Sequence, residues 1–381
     1  MLALRLARGT HPLVLLRRLM VAAASAGVSF LLLCTLSYAV AGPDPAQPAP
    51  LRLLWCLVPL AATVQLAVAV ARTDPGARPR QGLSAVGLGP VRLTALAAVS
   101  TAVSCSLGSA LALLVFLHLR GDLTGMPFDG SAADLVAAEQ PLPLGAVLVL
   151  LAVVPVVGAA AAATAVRPRR TAPGDDCDDD LPDVRWGATP AGLPWGVALT
   201  AAGLAVEAYA EQGAPGAGTA PPPGVPAGWA LTALGLAAMG PGLVHLCGRV
   251  LQSVRPGAVR LLAGRALMVD AARIGRPLGV VCAVASAVLA VPAVSGDRPQ
   301  PLGPLTGLGV VLVMACTSAT LLTSVVEARQ SRSVGRAGLR GAGAPGAFLR
   351  ASVLLRVIVL LAVFAPLTWA VAELAAMPLR R

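Results

Sequence analysis

The chain of 381 residues has no lysine: all 29 of its basic residues are arginine. That absence removes whole classes of chemistry. There is no lysine to sit on a nucleotide phosphate in a P-loop, to form a Schiff base or to act as a general base. ATP hydrolysis by the usual Walker route is therefore excluded within this chain. Charge of any kind is scarce, at 12% of residues, against roughly 25% in soluble domains. Aromatic residues are scarcer still, and two tyrosines and five tryptophans leave little for recognition by stacking. The seven cysteines form no CxxC and no Cys/His cluster. Cys34, Cys56, Cys105, Cys282 and Cys316 fall inside apolar runs, Cys247 ends one, and Cys177 lies in a polar linker. They read as small buried apolar residues. With no nucleophile–base pair, metal-ligand spacing or phosphate loop, the chain does not read as an enzyme and implies no cofactor or metal.

What is abundant is apolar sequence, at 56% with a mean hydropathy of +0.78. A membrane span needs about 20 such residues, and the chain supplies nine runs: Leu19–Val40, Leu53–Ala71, Leu93–Leu119, Leu142–Val166, Leu193–Tyr209, Ala227–Cys247, Leu278–Val294, Leu305–Val326 and Ala351–Ala376. The fifth and seventh are the shortest, at 17 residues. The fold class expected is an all-α polytopic membrane protein of nine transmembrane helices, or ten with one degenerate span. Arg17-Arg18 before the first run and Ala39-Val40-Ala41 after it imitate a signal peptide. The run is longer than the 7–15 residues of a signal core, and it reads as a retained first span.

Arginine counting orients the chain. With the N-terminus in the cytoplasm, the inside segments hold 23 arginines and the outside segments five (Arg52, Arg120, Arg298, Arg380, Arg381). A pI near 10.7 is then explained by basic loops on a membrane protein, without nucleic acid. The Arg-only, Ala/Gly/Pro-rich composition points to GC-rich coding, and the location expected for the chain is a bacterial cell (inner) membrane.

Few charges enter the runs. Glu207, Arg356 and Glu373 lie near span ends, as do His118 and His245, close enough to an interface to snorkel or solvate. The run Asp175-Asp176-Cys177-Asp178-Asp179-Asp180, with Asp183 nearby, reads as a solvated linker between halves; its spacing matches no calcium loop. Small residues at helical spacing, such as Gly235, Met239 and Gly240, or Ser104, Gly108 and Ala112, allow close helix packing.

Two cytoplasmic segments match at an offset of 256 residues: Ala71–Leu93 and Glu327–Leu349. Arg80 pairs with Arg336, Gly82 with Gly338, Leu83 with Leu339, Gly87 with Gly343 and Leu93 with Leu349. Each follows one apolar run and leads into another. Such internal repeats are common in transporters, and the glycines allow sharp turns or close approach to a partner.

Glu327-Ala328-Arg329, Leu339-Arg340-Gly341-Ala342-Gly343-Ala344 and Leu349, with Ala71-Arg72, Leu83–Gly89 and Ser104–Gly108 in the first half, resemble the FtsX-like (MacB-type) permease family of ABC transporters, in its duplicated form. The resemblance implies a first permease-like half (1–170, four spans), an acidic cytoplasmic linker (171–190), a two-helix insert (191–250) and a second half (251–381, three spans). It implies a membrane-spanning permease subunit that couples a separate ATPase, acting as a dimer, to movement of a lipid, peptide or other amphiphile. Arg80, Leu83, Gly87, Glu327, Arg329, Arg336, Leu339 and Gly343 are then the expected ATPase-coupling residues, with membrane lipids as the other partner. Two other functions fit the same sequence: an ion-coupled secondary carrier depending on a carboxylate such as Glu207, and a non-transporting membrane scaffold or regulator with a permease-like fold.

Overall fold

A computed structural model describes residues 12–42, 49–73, 90–122, 141–167, 192–212, 224–253, 257–295, 303–332, 338, 341, 343 and 345–377. Among them are nine long helices: α1 (Pro12–Val40), α2 (Ala49–Thr73), α3 (Pro90–Arg120), α4 (Leu144–Val166), α5 (Gly192–Gln212), α6 (Gly224–Ser253), α7 (Ala258–Ser295), α8 (Pro304–Ser331) and α9 (Gly346–Ala376). All nine are long and apolar enough to cross a membrane. The protein is an all-α, multi-pass membrane protein.

The surface has the character of a protein dissolved in lipid. On α4 only Val147, Val154, Gly158 and Ala162 are buried, while Leu144, Leu148, Val149 and Val156 are each more than 60% exposed. In water such a surface would drive aggregation; against acyl chains it costs nothing. Pro59, Pro155, Pro241 and Pro366 all sit inside helices, which membrane helices tolerate where neighbours satisfy the freed backbone groups.

One expectation is corrected. The segment from Arg249 to Arg276 reads in sequence as a basic loop, with the seventh span starting at Leu278. Instead α7 is a single helix of 38 residues carrying Arg260, Arg265, Arg273 and Arg276. The local reason is a buried stripe, Ala263, Leu267, Asp270 and Ala271, whose helical spacing persists through the arginines. At 1.5 Å per residue the helix is about 57 Å long, nearly twice the hydrocarbon thickness.

Two compact units emerge, Met1–Arg170 with Leu302–Thr320, and Thr171–Pro301 with Leu321–Arg381. In the first, α1 packs on α3, and α4 packs on α3, α2 and α1. The α1–α3 crossing is close: a Cβ on Gly108 would run into Ser25 and the Ala22 carbonyl. Ser25 Oγ donates to the Cys105 carbonyl at 3.2 Å, and the hydroxyls of Ser29 and Ser109 meet at 2.9 Å. Phe30 and Phe116 make an edge contact above a cluster of Leu33, Cys34, Phe116 and Val147. The N-terminal part of α8 belongs to this unit, where Cys316 Sγ lies 3.7 Å from Thr63 Oγ1.

In the second unit α6 is the centre, packed against α5 on one side and α7 on the other, with α9 on α7. The α5–α6 hairpin is built on small residues. Gly192, Gly196, Thr200, Gly203 and Glu207 step along α5, and their partners Gly228, Thr232, Gly235 and Met239 step back along α6. A Cβ on Gly203 would sit 2.8 Å from the Gly228 carbonyl oxygen, and one on Gly235 at 2.8 Å from that of Gly196. Such backbone approach is how membrane helices gain van der Waals energy when lipid offers no hydrophobic drive between them. The same device joins α6 to α7, where Gly248 and Gly264 each abut the other's carbonyl oxygen, at 2.8 and 2.7 Å.

The offset of 256 residues also relates two helices. α3 and α9 are both 31 residues long, and both their starts and their ends lie 256 residues apart. Towards their C-terminal ends four buried positions share the offset, Gly108, Ala112, Phe116 and Arg120 on α3 with Phe364, Thr368, Ala372 and Ala376 on α9, whereas nearer their starts Thr101 and Cys105 are buried and the matching Val357 and Leu361 are exposed. The pairing of α1 with α3 recurs as α7 with α9.

Candidate functional site

The matched segments join α2 to α3 and α8 to α9, and the second can be followed in part. Its first residues are the last turns of α8. Glu327 is half-buried, Ala328 buried and Arg329 exposed; two residues apart on a helix, Glu327 and Arg329 project to different sides. Gly343, further along, has φ +85° with open space around its Cβ position. That is the left-handed region which favours glycine, and it sets the turn before Pro345, whose extended backbone precedes α9. The structure thus places three of the eight expected coupling residues, two on the last turns of α8 and one at the turn before α9. Arg80, Leu83, Gly87, Arg336 and Leu339 lie outside the described residues.

Between Arg329 and Gly343 the structure adds a residue that sequence reasoning passes over. Arg332, one residue past the end of α8, forms an ion pair with Asp270 of α7 and donates from the same guanidinium to the Ala266 carbonyl. The Asp270 side chain is 9% exposed and that of Arg332 20%. Arg356 of α9 and Arg273 of α7 lie within electrostatic reach of the same carboxylate. One acid therefore gathers three arginines from α7, α8's end and α9. It ties the start of the second connection to the long α7 helix. A buried pair of this kind is costly to leave half-made, at about 3–5 kcal/mol when one partner is removed.

A signal for Asp270 does exist in the sequence. It is the lone acidic residue of α7 and continues the buried stripe of Ala263 and Leu267. The four surrounding arginines hide it by suggesting a loop.

A second buried acid is Glu207. The expectation that it snorkels at a span end is corrected: it is 2% exposed, wrapped in the α5–α6 hairpin where Gly228 leaves room for its stem. Thr232 Oγ1 donates to its Oε1 at 3.4 Å. Arg120, assigned to the mouth of an outside loop, is likewise buried, with Nε 3.1 Å from Asp122 Oδ2.

In the first unit an apolar groove of about 300 Å³ opens between α1, α2 and α4, lined by leucines such as Leu32, Leu54 and Leu57 with Val153 and Cys56. It offers acyl-chain surface and no charged side chain. Among the described residues no three His, Cys, Asp or Glu side chains gather as metal ligands would.

Comparison with known proteins returned no matching family model, no similar curated protein and no similar solved structure.

Proposed function

We propose that this protein is the membrane-spanning permease subunit of an ABC transporter of the FtsX-like type, sited in a bacterial cell membrane with its N-terminus in the cytoplasm. A separate ATPase, as a dimer, docks on the connections α2–α3 and α8–α9, with Arg80, Leu83 and Gly87 on one and Glu327, Arg329, Arg336, Leu339 and Gly343 on the other. The observation that carries this reading is the structural repeat: α3 and α9, which leave the two connections, match in length, in both ends and at four buried positions near their C-terminal ends at one offset. A duplicated membrane unit with two equivalent basic connections suits a partner that itself has two equivalent faces. The Asp270–Arg332 pair supports it further, because it makes the second connection a braced element able to transmit force to α7. The substrate class is a lipid, peptide or other amphiphile, in keeping with the apolar groove on the first unit.

The test is purification of the tagged full chain from its native membranes, with nucleotide hydrolysis and mass spectrometry as readouts. An ATPase bearing Walker and signature sequences should co-purify, and deletion of Arg329–Gly346 should release it. A chain that carries no ATPase, and whose cellular phenotype survives that deletion, would refute the proposal.

Glu207 favours a second reading, the ion-coupled carrier. An acid enclosed within a span defaults to a functional hypothesis. Under that reading Glu207→Gln abolishes transport driven by a proton gradient, whereas under the first it leaves ATP-driven transport within about twofold.

A further inference from the structure

The apolar groove of the first unit ends at a cation. Cys56 and Leu60 of α2 line it, and Arg52 lies one helical turn before Cys56 on the same side of that helix, about 6 Å along the axis. The guanidinium carbon of Arg52 sits 3.5 Å from the centre of the Tyr38 ring on α1. Tyr38 in turn is six residues past Leu32, which lines the groove from α1. Both side chains are therefore at one end of the groove, where α1 finishes at Val40 and α2 begins at Ala49. Trp55, on the next turn of α2, is exposed. Tyrosine and tryptophan collect where acyl chains give way to headgroups, so this is the interfacial end. From Arg52 to Leu60 is about 12 Å at 1.5 Å per residue, most of the roughly 15 Å that one leaflet adds to the hydrocarbon core. Leu150 and Val153 of α4 form the facing wall. Leu53, Leu54 and Leu57 are exposed, so a chain can enter sideways from the bilayer.

We propose that this groove is a binding site for an anionic glycerophospholipid, with one acyl chain along Leu32, Leu57, Leu150 and Val153 and the phosphate on Arg52. At about 30 Å³ for a group the size of a water molecule, the groove's volume of about 300 Å³ takes roughly ten chain carbons. Its walls carry no charged side chain, so they accept a tail and do not choose among headgroups. That choice falls to Arg52. The contact with Tyr38 positions the guanidinium without neutralising it, since a ring is not an anion. The planar fork of arginine donors matches a pair of phosphate oxygens. A zwitterionic headgroup brings a cation of its own to the same place, so phosphatidylglycerol is preferred to phosphatidylcholine. The lipid belongs to the leaflet on whose side α1 ends, whichever way the chain is oriented. The site needs neither an ATPase nor transport, and it stands apart from the permease reading.

The full chain is placed in phosphatidylcholine nanodiscs containing a few per cent of a phosphatidylglycerol with a diazirine in one acyl chain, or of phosphatidylcholine with the same labelled chain. After irradiation, peptide mass spectrometry counts adducts on residues 53–60 and 150–153. Adducts on α9 serve as the reference, because Leu354 and Leu361 are exposed and report ordinary bilayer contact. The groove-to-α9 ratio should be roughly tenfold higher for phosphatidylglycerol than for phosphatidylcholine, the worth of one charge-assisted hydrogen bond. Arg52→Gln should bring the phosphatidylglycerol ratio down to that of phosphatidylcholine and leave the latter unchanged. Arg52→Lys should keep most of the preference. Val153→Trp, which fills the groove and leaves Arg52 in place, should lower the groove adducts of both lipids. Equal ratios for the two lipids in the unaltered protein would overturn the proposal and leave the groove as ordinary lipid-facing surface. So would a preference that survives Arg52→Gln, which would put the headgroup elsewhere.

Discussion

Asp270 faces three arginines, Arg332, Arg356 and Arg273, and this imbalance makes the two ends of its ion pair unequal. Asp270→Asn leaves three cations facing one another at a site where the carboxylate was 9% exposed. Arg332→Gln leaves the carboxylate with two arginines still in reach, and loses the charge-assisted hydrogen bond to the Ala266 carbonyl. The first substitution should cost about 3–5 kcal/mol, as removal of one partner from a buried pair does. The second should cost about 1.5–3 kcal/mol, the worth of a hydrogen bond to a charged group. The charge swap Asp270→Arg with Arg332→Asp should not rescue the loss, since the new arginine would face Arg356 and Arg273. Unfolding of the purified protein in mixed micelles, titrated with dodecyl sulfate and followed by tryptophan fluorescence, measures each cost. Arg332→Gln proving as damaging as Asp270→Asn, or a swap that restores wild-type stability, would refute the reading of a lone acid holding several cations.

The glycines divide by what surrounds them. Gly203→Val should destabilise the protein by about 1–3 kcal/mol in the same titration, because its new atoms meet the Gly228 carbonyl and Thr232. Gly145→Ala on α4, with open space around it, should be neutral or stabilising by up to about 1 kcal/mol. Gly343→Ala should cost about 1–2 kcal/mol, since its φ of +85° is a left-handed conformation. Gly343→Asn should recover part of that, as read in the same assay. Ser29→Ala removes the hydroxyl contact with Ser109 and should cost about 0.6 kcal/mol, the average for hydrogen bonds between membrane helices.

The nine spans are legible in the sequence because bilayer thickness leaves a length signature that each apolar run carries by itself. Buried positions are not legible that way. A helix that is apolar all round, as α4 is, has no polar face to reveal which side meets protein. Glycine is the better guide there, and the small-residue positions Gly235 and Gly108 do mark close crossings. Glu207 is misplaced by sequence reasoning because nearness to a span end stands in for access to water, whereas Gly203 and Gly228 let α6 close over it. Asp270 and Arg332 escape notice for a related reason. Charge density in the 249–276 segment suggests solvation, although half-buried helices at a membrane edge keep the same arginines on one face and an acid on another. Of the eight residues expected to couple to an ATPase, the three that are described occupy a helix end and a turn. Those positions are compatible with docking and do not by themselves demand it.

The repeat bears on the choice between symmetric and asymmetric action. Shifted by 256 residues, Asp270 falls on Val14, Arg332 on Gly76 and Arg356 on Ser100, whereas Arg273 falls on Arg17. Of these four charged residues the first half therefore repeats Arg273 alone. Four buried positions of α3 and α9 coincide while the residues filling them do not: Phe116 stands where the other half has Ala372, and Gly108 where it has Phe364. Helix length and the spacing of those four positions are common to α3 and α9, as bilayer thickness and close packing require of any span. The charges around Asp270 are not common to both halves. If the two connections met identical partners with identical roles, the brace would be as useful in the first half as in the second. On the reading proposed above, a force applied to the second connection would pass to α7 through Arg332 and Asp270, a pair that the residues at the matching positions of the first half, Gly76 and Val14, cannot form.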